Sequence, residues 1–318
     1  MMKQSIGIGF LFFFFMTEAY ALVDYSEPES TGSAVSRSSA PPKRVVKRTA
    51  APGQARSKSS GPSILGGKFK LKTNYLSESL ETDDINAKFT KVNFSASYSL
   101  NPSVYFETNY QVISTDDEML AETSGYQKGN PELTVGVNWL QFGNQADNTR
   151  VDLLLGNRWA QSGSDFASSR NDILLGIQTV KKMSNFFIGI GYDLDLTGKP
   201  KESDEMTIGK IHTIKAGLGL MVTNDINASI FARRVTVKSS GESSEDEDAA
   251  SLNLESDLVF TTLNPELGLM VTPYANVKLG GHFRTKRVDY DSSYQAIKLP
   301  KYNSLWGNSI YAGLDLRF

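Results

Sequence analysis

The sequence predicts an all-β fold: an up-and-down antiparallel barrel of about twelve strands, built to cross a membrane. Three observations predict it. From about Gly66 onward, short segments alternate apolar and polar side chains with a period of two. Turn signals and polar stretches separate these segments in a regular rhythm of short and long connections. The chain also ends on such a segment, in which Ile310, Ala312, Leu314, Leu316 and Phe318 alternate with Tyr311, Gly313, Asp315 and Arg317. One face of that strand is greasy and the other polar, up to the final residue.

Composition divides the 318 residues into three parts. Residues 1–21 read as a secretory signal peptide, with Lys3 as the positive flank, an apolar run from Ile6 to Met16, and Ala19-Tyr20-Ala21 as the small-x-small cleavage pattern. That run is about a dozen residues, short of the roughly 20 a spanning helix needs. Residues 22–65 are rich in Ser, Pro, Ala, Gly and basic side chains and hold few large apolar groups to offset ordering entropy. They read as a disordered periplasmic tether, averaging roughly 35–40 Å end to end as a coil. Its Lys and Arg groups suit either a plain spacer or contact with an anionic cell-wall polymer such as peptidoglycan. Residues 66–318 form the barrel.

Within that last part, Phe69, Leu71, Thr73 and Tyr75 alternate with lysines on the first strand. Val92, Phe94, Ala96, Tyr98 and Leu100 do the same on the second, and Asn101-Pro102-Ser103 turns it into the third, which carries Val104, Phe106, Thr108, Tyr110 and Val112. A polar loop from Ser114 to Asn130 follows. Short connections are then expected near Gly143–Thr149, Lys181–Ser184, Thr223–Asp225 and Thr272–Tyr274. Long ones are expected near Gln161–Asn171, Thr197–Gly209, Ser239–Ser251 and Asp289–Asn303. An even strand count puts both ends of the barrel on one side, with the long loops outside. Asn130-Pro131-Glu132-Leu133 is echoed by Asn264-Pro265-Glu266-Leu267, and Gly189/Gly191 and Gly217/Gly219 read as lumen glycines that leave space inside. Trp139, Trp159, Tyr192 and Trp306 sit near strand ends as interfacial anchors.

Alternation assigns each charged side chain to lipid or lumen, and a charge at the lipid midplane costs about 2–4 kcal/mol. The expected lumen face therefore has a basic arc: Lys68, Lys70, Lys72, Lys91, Lys278, His282, Arg284, Lys286 and Arg317. An acidic arc faces it: Glu107, Glu132, Asp152, Asp172, Asp193 and Asp195. Arg150 and Arg158 interrupt the acidic set, and Asp315 the basic one. Two outcomes stay open. The arcs act across water as a filter for ions and dipolar solutes, or they meet as salt bridges and fill the lumen, because twelve strands lie between a packed barrel and an open one.

The chain has no cysteine, which excludes disulfides, thiol catalysis and a lipid-anchored cysteine. Net charge is −2, giving no whole-chain case for nucleic acid. No cofactor or metal motif is present, and the acidic run Glu242–Asp248 lacks the spacing of a calcium loop. There are two histidines, His212 near the outer rim and His282 in the lumen, and no nucleophile elbow or paired-histidine pattern, so no catalytic residues are assigned. A hydrolase at the rim using His212 is the least favoured alternative.

The closing row Ile310, Ala312, Leu314, Leu316 and Phe318 resembles the last strand of bacterial outer-membrane β-barrels, which barrel-assembly machinery reads through a terminal Phe. That resemblance implies an outer-membrane location and contact with its lipid and lipopolysaccharide. Gly129-Asn130-Pro131-Glu132-Leu133 and the strand-turn-strand units around Leu174–Leu194 and Ile214–Phe231 loosely resemble small outer-membrane transporters, including those associated with aromatic-degradation pathways. They imply a channel or passive transporter for small polar solutes or ions. The alternative is a non-conducting structural or adhesive barrel held to the cell wall by its tether.

Overall fold

The computed structural model describes residues 68–81, 86–115, 125–143, 147–240, 253–284, 297–299 and 308–317. The signal peptide and tether, Trp306, Lys286 and Phe318 lie outside them. Thirteen strands occur among the described residues. They are β1 (Lys68–Glu81), β2 (Asn86–Asn101), β3 (Val104–Thr115), β4 (Gly125–Lys128), β5 (Glu132–Gly143), β6 (Asp147–Arg158) and β7 (Asp172–Met183). After these come β8 (Phe186–Thr197), β9 (Ile211–Met221), β10 (Ile226–Val237), β11 (Leu258–Thr272), β12 (Ala275–Arg284) and β13 (Asn308–Arg317).

Each strand pairs antiparallel with its chain neighbour, and β1 pairs with β13 over ten residues, from Lys70–Arg317 to Ser79–Asn308. The sheet is thereby closed, and closure removes the unpaired edges that no lipid environment tolerates. Twelve strands make the barrel. The thirteenth, β4, is a short piece inside the expected Ser114–Asn130 loop that pairs with the outer end of β3, while β5 takes over the lower part of the same strand. The sequence reading missed β4 because Gly125-Tyr126-Gln127-Lys128 is too short to show a period.

The expected alternation is visible in the packing. Leu155, Ile173, Ile190, Ile214, Leu218, Leu267 and Ile310 stand exposed on the outside, and their chain neighbours Gly156, Asp172, Gly189, Thr213, Gly217, Glu266 and Ser309 face in. Burying that apolar belt in lipid, at about 25 cal/mol per Å², is what makes a membrane the barrel's solvent. Trp139 and Trp159 are exposed toward strand ends, where an interfacial ring belongs, whereas Tyr192, also exposed, lies midway along β8. The short connections fall where expected, at Ser184–Asn185 and Pro273–Tyr274 among others. Gly143 shows why one is tight: it sits at φ 107°, and an added Cβ would lie 2.1 Å from the Asp147 carbonyl oxygen. Ladder irregularities at Ser99/Asn101, Asn138/Leu140 and Met270/Thr272 cluster at this same rim, where bulges help a sheet curl into a barrel.

Candidate functional site

Because side chains alternate, every barrel strand contributes a row to the lumen. The predicted acidic residues come from consecutive strands: Glu107 on β3, Glu132 on β5, Asp152 on β6, Asp172 on β7, and Asp193 and Asp195 on β8. The predicted basic ones come from β1, β2, β12 and β13, which are also consecutive. The acidic row carries its own cations. Arg158 is buried and gathers Asp172 at 2.8 Å and Glu132 and Asp195 at 3.1 Å each. Arg150 holds Asp152 at 2.6 Å, and Lys215 of β9 holds Asp193 at 2.7 Å. Glu107 accepts a hydrogen bond from the Ser95 hydroxyl. On this side Glu132 and each aspartate thus have a cation within ion-pair distance, and Glu107 has a hydroxyl donor.

The basic row contains acids in turn. Lys278 lies between Glu266 at 3.1 Å and Asp315 at 3.0 Å. Glu266 occupies in the second Asn-Pro-Glu-Leu segment the place that Glu132 holds in the first. Both glutamates face the lumen and both pair with a cation on the following strand. Lys70 and Lys72 are half-buried and sit opposite Arg317 and Asp315 in register. Lys68 opens β1. Lys91 is buried on β2. His282 is buried with its ring 4.8 Å from that of Tyr311, and the Arg284 guanidinium sits 5.3 Å over the Phe260 ring.

Aromatic rings occupy the space that lumen glycines leave. Tyr105 covers Gly136, Phe187 covers Gly219 and Tyr311 covers Gly280, so a Cβ at any of these glycines would lie within 2.4 Å of the ring. Tyr105 also reaches past β5 and β6 to accept a hydrogen bond from Gln178 of β7 at 3.4 Å.

Above this wall the described parts of the long loops fold together into a cap that no sequence period signals. Arg170, in the β6–β7 connection, is fully buried. Its guanidinium donates to Glu205 at 2.7 Å, to the Ile297 carbonyl at 3.1 Å and to the Lys298 carbonyl at 2.9 Å. Glu205 also accepts from the Ser169 amide at 2.6 Å and from the Ser168 and Ser169 hydroxyls. Burial pushes the Arg170 guanidinium below its ordinary range, against the pull of Asp172 and Glu205. Lys298 adds ion pairs to Glu202 at 3.3 Å and Asp204 at 3.4 Å. Gln127 of β4 clamps the same loop, donating to Asp165 and accepting from the Asp165 amide.

Beneath the ion pairs is an apolar layer. Met206, Ile208, Leu254, Ile297 and Leu299 of the loops pack on Ile211, Val235, Val237, Leu258 and Phe260 at the outer ends of β9, β10 and β11. The β6–β7 and β12–β13 connections are rooted on opposite sides of the barrel, six strands apart in either direction: β7 to β12 one way, and β13, β1, β2, β3, β5 and β6 the other. The Arg170–Ile297 and Arg170–Lys298 hydrogen bonds therefore span the external mouth. Loop sequences carry no periodic signal, so only the isolated apolar residues Ile208, Leu254 and Ile297, set among charges, hinted at a packed layer.

His212 points outward at the rim, its Nδ1 2.7 Å from the Tyr192 hydroxyl, a pairing of two outward side chains. Among the described residues no cluster of three or more His, Asp or Glu is placed to hold a metal.

No family model matches the chain, and no curated protein sequence matches it. Solved structures do. It is similar to OmpT, an outer membrane protein of Vibrio cholerae, with 10% identity, a TM-score of 0.38, and coverage of 79% of this chain and 97% of that one. It is similar to outer membrane phospholipase A from Escherichia coli, with 11% identity, a TM-score of 0.41 and coverage of 77% and 89%. It is also similar to OccD3 of Pseudomonas aeruginosa, with 8% identity, a TM-score of 0.39 and coverage of 80% and 92%. The chain folds as a closed antiparallel β-barrel of twelve strands. Its chemistry is read from its own residues.

Proposed function

We propose that the protein is an outer-membrane channel for small polar solutes or ions, with a polar lumen and a loop cap that closes its external mouth in the form described above. The observation that carries the reading is the lining. Asn93, Asn109, Gln111, Asn264, Asn276 and Ser309 are all buried and all face in. A barrel filled only for rigidity gains more from apolar packing than from buried amides, each of which costs free energy unless hydrogen-bonded. Amides and hydroxyls around a lumen are instead what a hydrated solute meets as it sheds part of its water.

The cap favours a second reading, a non-conducting barrel whose loops and basic tether make contacts on either side of the membrane. Planar-bilayer recording separates the two. The folded protein is expected to be mostly closed with rare openings. Arg170→Ala, which removes the Glu205 counter-ion and both cross-mouth hydrogen bonds, is expected to raise open probability severalfold. Silence from the parent protein and from the loosened variant would leave the scaffold reading standing. Deleting residues 22–65 then tests the tether: unchanged cell-wall association would remove it from that reading.

A further inference from the structure

One register row of the lumen wall runs unbroken across five strands. Asn276 of β12 stands opposite Asp315 of β13, Asp315 opposite Lys72 of β1, Lys72 opposite Ser95 of β2, and Ser95 opposite Asn109 of β3. Asn93 lies two residues from Ser95 on the same face of β2, diagonal to Asn109. From Asn276 to Asn109 the row covers four strand spacings, about 19 Å along the wall. Asn276, Asp315, Ser95, Asn109 and Asn93 are each more than nine-tenths buried.

What sets the row apart is unmet hydrogen-bonding capacity, most of it on the acceptor side. Asn276 Oδ1, Asp315 Oδ1, Asn93 Oδ1 and Asn109 Oδ1 are buried oxygens that make no hydrogen bond within the protein, and Asn109 Nδ2 is a buried donor in the same condition. Buried polar atoms left without a partner cost free energy that an entering partner relieves. The charges along the row are matched among themselves. Lys278 pairs with Asp315 at 3.0 Å and with Glu266 at 3.1 Å, and Lys72 acts electrostatically on the same Glu266. A cation entering here would meet two lysines beside the oxygens, and an anion would meet the oxygens themselves. A neutral group with O–H donors meets neither obstacle. Hydroxyls also serve Asn109 in both directions, donating to Oδ1 and accepting from Nδ2. A row of this length suits a linear chain of hydroxylated units better than one small ring.

We propose that Asn276, Asp315, Ser95 and Asn109, with Asn93, form a binding strip in the lumen for a neutral, polyhydroxylated chain, in chemical class a short oligosaccharide. The strip deepens the channel reading by naming the solute as uncharged, and it rests on that reading only for the route by which the solute enters. Its amides differ from structural ones in a measurable way. Replacing an unpaired buried carboxamide with an apolar group of similar shape removes a desolvation cost, so stability holds or rises while binding falls.

The test titrates maltotriose, by calorimetry, into the folded full-length barrel in a detergent without sugar headgroups. Saturable binding is expected, and glucose, which covers only part of the row, is expected to bind more weakly. Asn109→Leu and Asn276→Leu are each expected to weaken maltotriose binding about tenfold, the size of one or two lost neutral hydrogen bonds, with no fall in the urea midpoint. Asn148 supplies the control: its Oδ1 is also buried without a partner, but it belongs to β6, away from the row. Asn148→Leu is expected to leave binding unchanged. Absence of saturable binding overturns the strip, and so does equal weakening by Asn148→Leu. Tighter binding of the cationic trimer of glucosamine overturns it as well. Should Asn109→Leu fail to fold, the shorter Asn109→Ser takes its place, and undiminished binding by that variant counts against the strip. Bilayer recording on the same preparations keeps the two claims apart. Current without maltotriose binding sinks the strip and leaves the channel, and maltotriose binding without current does the reverse.

Discussion

Arg158 concentrates three carboxylates on one guanidinium with 2% of its side chain exposed. Removing one partner of a buried ion pair costs about 3–5 kcal/mol, because the charge left behind has neither water nor a counter-ion. Arg158→Ala strands Glu132, Asp172 and Asp195 together. It is expected to lower unfolding free energy by at least that amount, read from the urea midpoint of the barrel in lipid vesicles. Glu107→Gln keeps a hydrogen-bond acceptor for Ser95 and should barely move the midpoint. A second expectation concerns Gly219, where an added Cβ would lie 1.8 Å from the Phe187 ring. Gly219→Ala is expected to cost about 1–3 kcal/mol by overpacking, and Phe187→Leu in the same chain should recover part of it. A cost that persists in full in the double variant would show that the ring is not the obstacle.

At the scale of elements, strands and cap differ in what holds them. Strands are fixed by ladders on both sides and by the lipid. The cap depends on buried polar pairs and one apolar layer, so it is the part that can move without opening the sheet. Its edge is tied by Lys238, which donates to Asp257 at 2.5 Å, while the Ser239 amide donates to the same carboxylate at 3.0 Å. These bonds hold the Asp257 carboxyl below its usual range. An acid with a lowered folded-state value contributes above its unfolded value, near pH 4, and loses that contribution as pH falls through the depressed one. Protection factors of amides 238–240, with the intrinsic pH dependence of exchange divided out, are therefore expected to fall in acid, and Asp257→Asn should show the lower protection already at neutral pH. Identical profiles for the two proteins would dismiss the contact as an anchor.

For the whole molecule, what the sequence discloses depends on whether a period of two governs the residues. Ile188, Gly189, Ile190 and Gly191 could be assigned to lipid and lumen by counting, because an outward charge or an inward isoleucine there is expensive. Closure was readable from the alternation running to Leu316, which pairs with Leu71. Partners were less readable than faces. Counting placed Asp193 in the lumen, but Lys215 as its partner depends on the register of β8 on β9, where Lys215 lies opposite Gly191, two residues from the acid. Arg170 and Glu205 were invisible as a pair, since contact between two aperiodic loops is set by the barrel that presents them.

The cap bond from Arg170 to Ile297 joins residues 127 apart in sequence. Its acceptor arrives on the connection that precedes the closing strand. Until that strand is in place, Arg170 keeps its carboxylates Glu205 and Asp172 but lacks the two carbonyls that tie it across the mouth. A barrel halted one hairpin short would leave its mouth unbridged, and the same event that closes the wall also latches the lid.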